Sequence, residues 1–230
     1  MGELYWPWRG NQLKDRDVDV VIAALDELDP DVVLLQELMH ASQLRRLERG
    51  GAGDARYDGA IAERCGYDRK VGVLVRRGLG ARFAEHVLEP TRRGALEARF
   101  VKGAVEIRAI CLHLDVFNGE RRLLQARAAG ALIGDPGRLT VAGGDLNYDP
   151  EVSARLGREA DARAEAALTA RVADVARESG PTLVGLLRVD RLLAGGDALR
   201  GARARTARHR LPLGDHAPLV VDLELAVDGG

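Results

Sequence analysis

The sequence predicts an α/β fold, a four-layer α/β/β/α sandwich of two packed mixed sheets with outer helices. Helical and strand periodicities share the chain, yet consecutive short strands sit together between helical segments in each half. An open parallel sheet would instead alternate helix and strand throughout. No repeat, linker or low-complexity tract interrupts the 230 residues, so residues 1–230 read as one domain.

The elements follow in order. Val18, Val21, Ile22, Leu25 and Leu28 share one helical face between Asp17 and Leu28, with Asp15 as cap, and the pattern stops at Asp29-Pro30. Val32 to Gln36 is a continuous apolar run suited to a strand buried on both sides. Helical spacing returns from Ser42 to Arg49 and ends in the glycine-rich stretch Gly50 to Gly53. Short strands then succeed one another: Asp58 to Ala62, Val71 to Val75, Ala81 to Leu88, Ala95 to Val101 and Val105 to Leu114. The last two are joined by a Lys102-Gly103 hairpin turn. Glu120 to Ile133 is a helix and Leu139 to Ala142 a buried strand. Ser153 to Glu178 reads as mostly helical, with Leu168, Val172 and Val175 as its buried stripe. Arg188 to Leu193 and Leu219 to Leu225 are strands.

Composition narrows the function classes. Hydrophobic residues make up 46% and charged residues 30%, a globular balance that disfavours disorder, collagen and coiled coil. With 34 Lys plus Arg against 35 Asp plus Glu, no bulk field draws the chain to nucleic acid or an anionic membrane, so any such binding is local. Cys65 and Cys111 build neither a disulfide framework nor a cysteine zinc site, which fits a reducing compartment. No long apolar run or charged-then-apolar leader is present, so the expected location is cytoplasmic and the expected state a monomer.

Residues capable of chemistry collect at strand ends. Glu37 follows Val32 to Gln36; His113 and Asp115 close their strand on the same side as Cys111; Asp145 and Asn147 follow Leu139 to Ala142 across Gly143-Gly144. Asp190 lies within Arg188 to Leu193, and Asp215 and His216 precede the last strand. Taken singly, a strand-end carboxylate is usually a solvated loop residue, Asp145 to Asn147 is an Asx turn, and a histidine is a hydrogen-bonded core residue. Together, carboxylates, a carboxamide and two imidazoles at core strand ends suit Mg²⁺ or Mn²⁺ and work on a phosphate.

The motifs, in order, resemble the endonuclease/exonuclease/phosphatase superfamily with its deoxyribonuclease I-like fold. WPWRG opens the series, followed by DPDVVLLQE, RRGALEARF, CLHLDVF, VAGGDLNYDP, PTLVGLLRVDRLL and GDHAPLVVDLEL, spanning roughly Trp6 to Leu225. The resemblance implies a divalent-metal-dependent phosphoester hydrolase, more a phosphodiesterase or nuclease than a monoesterase. In that reading Glu37 and Asp215 hold the Mg²⁺ or Mn²⁺ and Asp145 orients or deprotonates the attacking water. Asn147 holds phosphate and water, Asp190 orients His216 onto a phosphate oxygen, and His113 assists. The implied partner is a phosphodiester, nucleic acid among the candidates. No lysine strip or aromatic ladder supports tight sequence-neutral DNA binding.

One departure stands out: the family's asparagine after the early tryptophan is Pro7 here, with Asn11 the nearest replacement. Pro7 motivates a competing reading, a degenerate member that binds a phosphate-bearing ligand or protein without turnover. Arg93 reads as a surface arginine with phosphate contact as the alternative, Asp115 as a cap of the turn into the Glu120 helix, and His40, His86 and His209 as surface residues.

Overall fold

Each apolar face identified in the sequence finds a layer. A computed structural model describes residues 15–51, 54–64, 70–183, 186–206 and 216–226. Helix α1 (Asp15–Leu28) stops where Asp29 turns left-handed at φ 42°, before a proline that cannot continue a helix. With α2 (Ala41–Arg49) it covers the outer face of a three-stranded antiparallel sheet ordered β1 (Val32–Leu38), β3 (Lys70–Arg76), β2 (Tyr57–Ile61). Val18, Ile22 and Leu25 meet Leu35, Leu47 and Leu74 there. Each such side chain removed from water contributes roughly 1.5–3 kcal/mol.

The second sheet has six strands. β4 (Arg82–Leu88), β5 (Arg93–Lys102) and β6 (Val105–His113) form an antiparallel meander, and β6 runs parallel to β7 (Leu139–Asp145). β8 (Ala173–Asp174) and β9 (Asp190–Gly195) complete the order β4-β5-β6-β7-β9-β8. Alternation along these strands divides the apolar residues. Ala109, Cys111, Val141 and Ala194 face Val71, Val73 and Val75 between the sheets, whereas Ile110, Leu112, Ala142 and Leu193 face α3 (Gly119–Ile133) and α5 (Glu159–Leu168). The result is the expected order of helix, sheet, sheet, helix.

Two segments differ from expectation. Ser153 to Glu178 is not one helix: α4 (Pro150–Arg155), capped by Asp149, ends before Gly157 at φ 62°, α5 follows, and the chain leaves it after Leu168. Val172 then packs on the helix side of the sheet and Val175 on the inter-sheet side, which only an extended chain can do. The strand β10 (Leu199–Thr206) has little apolar alternation to announce it; it forms by antiparallel pairing with β11 (Leu219–Leu225). His86 is not a plain surface residue either, because its Nε2 lies 2.9 Å from Oε2 of the buried Glu97. No helix among the described residues is long and apolar enough to cross a membrane.

Close packing of α3 on α5 gives a testable consequence. A Cβ added at Gly130 would come 2.3 Å from the carbonyl oxygen of Ala167, a backbone atom that cannot swing away. Gly130→Ala should therefore lower stability by about 1–3 kcal/mol although alanine favours helix by about 1 kcal/mol. The urea midpoint checks it; an unchanged or higher midpoint would show that the helices can separate freely.

Candidate active site

Strand register brings the first three residues together. His113, Asp145 and Asp190 end or begin β6, β7 and β9, and the ladders pair His113 with Asp145 and Asp145 with Asp190. Their parity with Cys111, Val141 and Ala194 turns all three toward the space between the sheets. His113 Nε2 is 3.6 Å from Asp145 Oδ2. The glycines before Asp145 permit this. A Cβ at Gly143 would sit 2.2 Å from the Arg191 carbonyl oxygen, and Gly144, at φ 131°, would place one 2.2 Å from that of Leu112.

His216 arrives from the far end of the chain. Its Nδ1 is 2.7 Å from Asp190 Oδ2, and both side chains are 13% exposed. Thr182, absent from the sequence reading, explains the meeting. Its hydroxyl accepts the Asp190 N–H at 3.0 Å and its carbonyl accepts the Ala217 N–H at 2.7 Å, while Leu183 forms a bridge with His216. One ligand atom from each of Asp145, Asp190 and His216 falls within 4.8 Å of the others.

Glu37 comes from the other sheet. A register shift between Leu35 and Leu38 and a left-handed φ of 59° break the alternation of β1 there, so Gln36 and Glu37 need not point to opposite faces. Gln36 donates to the Cys111 sulfur at 3.2 Å, and that thiol donates to the Leu35 carbonyl at 3.2 Å, tying β1 to β6 beneath the site. Burial pushes the Cys111 thiol up to about 12, which keeps it a protonated donor. Asn147 occupies the left-handed region at φ 57°; its N–H closes an Asx turn on Asp145 Oδ1 at 2.9 Å and its Nδ2 donates to the Leu114 carbonyl at 2.9 Å.

Arg93 is corrected by the structure. It is buried, and its guanidinium donates to the carbonyls of His113 at 2.8 Å and Leu114 at 3.2 Å, holding the end of β6. Asp115 does brace the turn into α3, accepting the N–H groups of Phe117 and Asn118. Pro7, Asn11, His209 and Asp215 lie outside the described residues. His40 is exposed at the start of α2.

The electrostatics suit a cation. Burial, first, and then the charges of Asp190 and Glu37 push the Asp145 carboxyl up to about 7, opposed by His216 and the Asn147 N–H. Carboxylates crowded in a buried corner, with imidazole but no thiolate facing them, match the donors that hard divalent ions take.

A model of the family described as the Endonuclease/Exonuclease/phosphatase family matches residues 9–216. Among solved structures, truncated TDP2 from Caenorhabditis elegans superposes with a TM-score of 0.69 at 17% identity, covering 91% of this chain and 90% of that one. An endonuclease/exonuclease/phosphatase from Bacteroides vulgatus gives 0.67 at 19% identity over 91% and 90%. A mannosyl-6-phosphatase from Bacteroides thetaiotaomicron gives 0.66 at 15% identity over 90% of each chain. These likenesses show a common fold. No curated protein sequence matches significantly.

The raised Asp145 carboxyl sets a stability test. An acid whose folded-state value exceeds its ordinary 3.8 binds more protons folded than unfolded between about 4 and 7, so its contribution to stability falls as pH climbs through that window. Asp145→Asn removes the buried charge. In EDTA at pH 8 it should raise the melting midpoint by roughly 3–6 °C, with the gain fading toward pH 4. A lower midpoint at pH 8 would show that the carboxylates are not in conflict.

Proposed function

The chain belongs to the endonuclease/exonuclease/phosphatase family, and from that premise we propose that it hydrolyses phosphoesters with an activated water, a phosphodiester being the favoured substrate. The carrying observation is the convergence of Asp145, Asp190 and His216 within 4.8 Å, with His216 oriented by Asp190. Such an arrangement serves in-line attack on phosphorus, which needs positioned groups more than covalent chemistry.

The roles follow from what each side chain can exchange. Asp145, raised to about 7, is in its ionised form a stronger base than an ordinary carboxylate and accepts a proton from water near neutral pH. His216, held through Nδ1 by Asp190, presents its imidazole to a non-bridging phosphate oxygen. Asn147 uses one Nδ2 hydrogen on Leu114 and has the second for phosphate. His113, beside Asp145, serves the same oxygens or the leaving group. Glu37, with Asp215 by family resemblance, would hold Mg²⁺ or Mn²⁺. When bound, the ion supplies neutralisation of the phosphate and of charge developing on the leaving oxygen.

Hydrolysis of bis(p-nitrophenyl) phosphate with Mg²⁺ or Mn²⁺ tests the reading. EDTA should abolish turnover, and Glu37→Gln and His216→Gln should each lower it by roughly 10²- to 10⁴-fold while circular dichroism stays unchanged. Turnover unaffected by His216→Gln would sink the assignment. A folded parent that cleaves no phosphoester under any metal would instead favour the binding-only reading that Pro7 motivates.

A further inference from the structure

Two loops frame the site, and each presents apolar side chains to water. The first follows β6: Phe117 is 84% exposed and Val116 49%. The second lies just before β9 and carries Leu186, 76% exposed. These are three of the six large exposed hydrophobics among the described residues; the others, Val101, Leu124 and Leu156, lie singly on a hairpin, α3 and the end of α4. Phe117 stands four residues after His113 and Leu186 four before Asp190, so neither is more than about 14 Å of chain from the site.

The first loop is built to hold its apolar pair outward. Asp115 Oδ1 accepts the N–H of Phe117 at 3.0 Å and of Asn118 at 2.8 Å, and the Asp115 N–H donates to Gln125 Oε1 at 2.7 Å. Arg122 donates to the carbonyls of Asp115 at 3.0 Å and Val116 at 3.2 Å. Asn118 then caps α3. These bonds fix the backbone of the loop in the conformation that leaves Phe117 exposed. An exposed aromatic ring four residues from His113 gains little for the fold, and its chemistry fits a flat partner.

We propose that Phe117, with Val116 beside it in the first loop and Leu186 in the second, is a specificity-determining platform that stacks an aromatic base attached to the scissile phosphate, so that nucleotide esters are taken in preference to sugar phosphates. The proposal rests on the reading that a phosphate seats at Asp145, Asn147 and His216. Stacking of one base on an aromatic side chain is worth about tenfold or more in affinity.

The test compares two ligands that differ only by the base, uridine 5′-monophosphate and ribose 5-phosphate, titrated calorimetrically into the whole protein with Mn²⁺. The parent should bind the nucleotide about tenfold more tightly. Phe117→Ala should erase that preference by weakening the nucleotide alone, Phe117→Trp should restore it, and Leu186→Ser should lose part of it. Equal affinities in the parent, no binding of either ligand, or equal weakening of both by Phe117→Ala would overturn the platform. Base preference without hydrolysis of bis(p-nitrophenyl) phosphate would leave the platform standing and remove the hydrolytic reading; hydrolysis without base preference would do the reverse.

Discussion

Like charges gathered where water is scarce repel, and the ladder joining β6, β7 and β9 is what makes Asp145 and Asp190 tolerate each other. Backbone register, not side-chain attraction, sets their separation. The hydrogen bonds of the ladder are distributed over whole strands, so the local conflict at their ends is small beside them. Gly143 and Gly144 are the condition for that ladder at its last rungs, since any side chain there would strike a neighbouring carbonyl. The site is thus a strained corner of an otherwise well-packed sheet, which is where functional groups are commonly held.

Behind the corner, arginines fasten the helices. Arg191, with a fully buried side chain, donates to Glu165 of α5 at 2.7 Å and to Asp174 of β8 at 2.9 Å. Arg122 of α3 bridges to Asp161 of α5 at 2.6 Å, and Ser153 of α4 completes that carboxylate's partners. Arg108 of β6 reaches the carbonyls at the end of α3 while pairing with Glu97. Buried pairs of this kind add little net stability over apolar packing, but a single wrong neighbour leaves a charge unpaired, so they favour one arrangement of helices on the sheet. Lysine's flexible point charge could not make these forked contacts. The arginines therefore have structural use in the fold.

The support around the candidate site divides the same way. Arg93 and Asn147 both donate to the Leu114 carbonyl, and Thr182 holds Asp190 and the chain beside His216. The acceptors are backbone carbonyls and one hydroxyl, so the strand ends are fixed without a further carboxylate in the corner. On a shared scaffold, choice of ligand is a matter for the loops, which are free to vary. Proteins as differently named as TDP2 and a mannosyl-6-phosphatase carry this fold.

The sequence by itself determined the layers and marked the candidate residues. Periods of 3.6 and 2 are local, so α1, β1, the β4–β6 meander and α3 were legible, and so were Glu37, His113, Asp145 and Asn147, because each sits where an apolar run visibly stops. Tertiary structure decided what depends on neighbours distant in the chain. β10 exists through its pairing with β11, not through its own pattern, and the Ser153–Glu178 segment breaks because Val172 and Val175 serve opposite faces of a sheet. Arg93 looked like a surface charge until β6 supplied two carbonyls for it. Thr182 carried no signal at all, since a hydroxyl becomes a positioning group only when Asp190 and the chain beside His216 meet at it. Local periodicity is written along the chain, whereas such meetings are set by which strands become adjacent, and that is fixed only when the whole core packs.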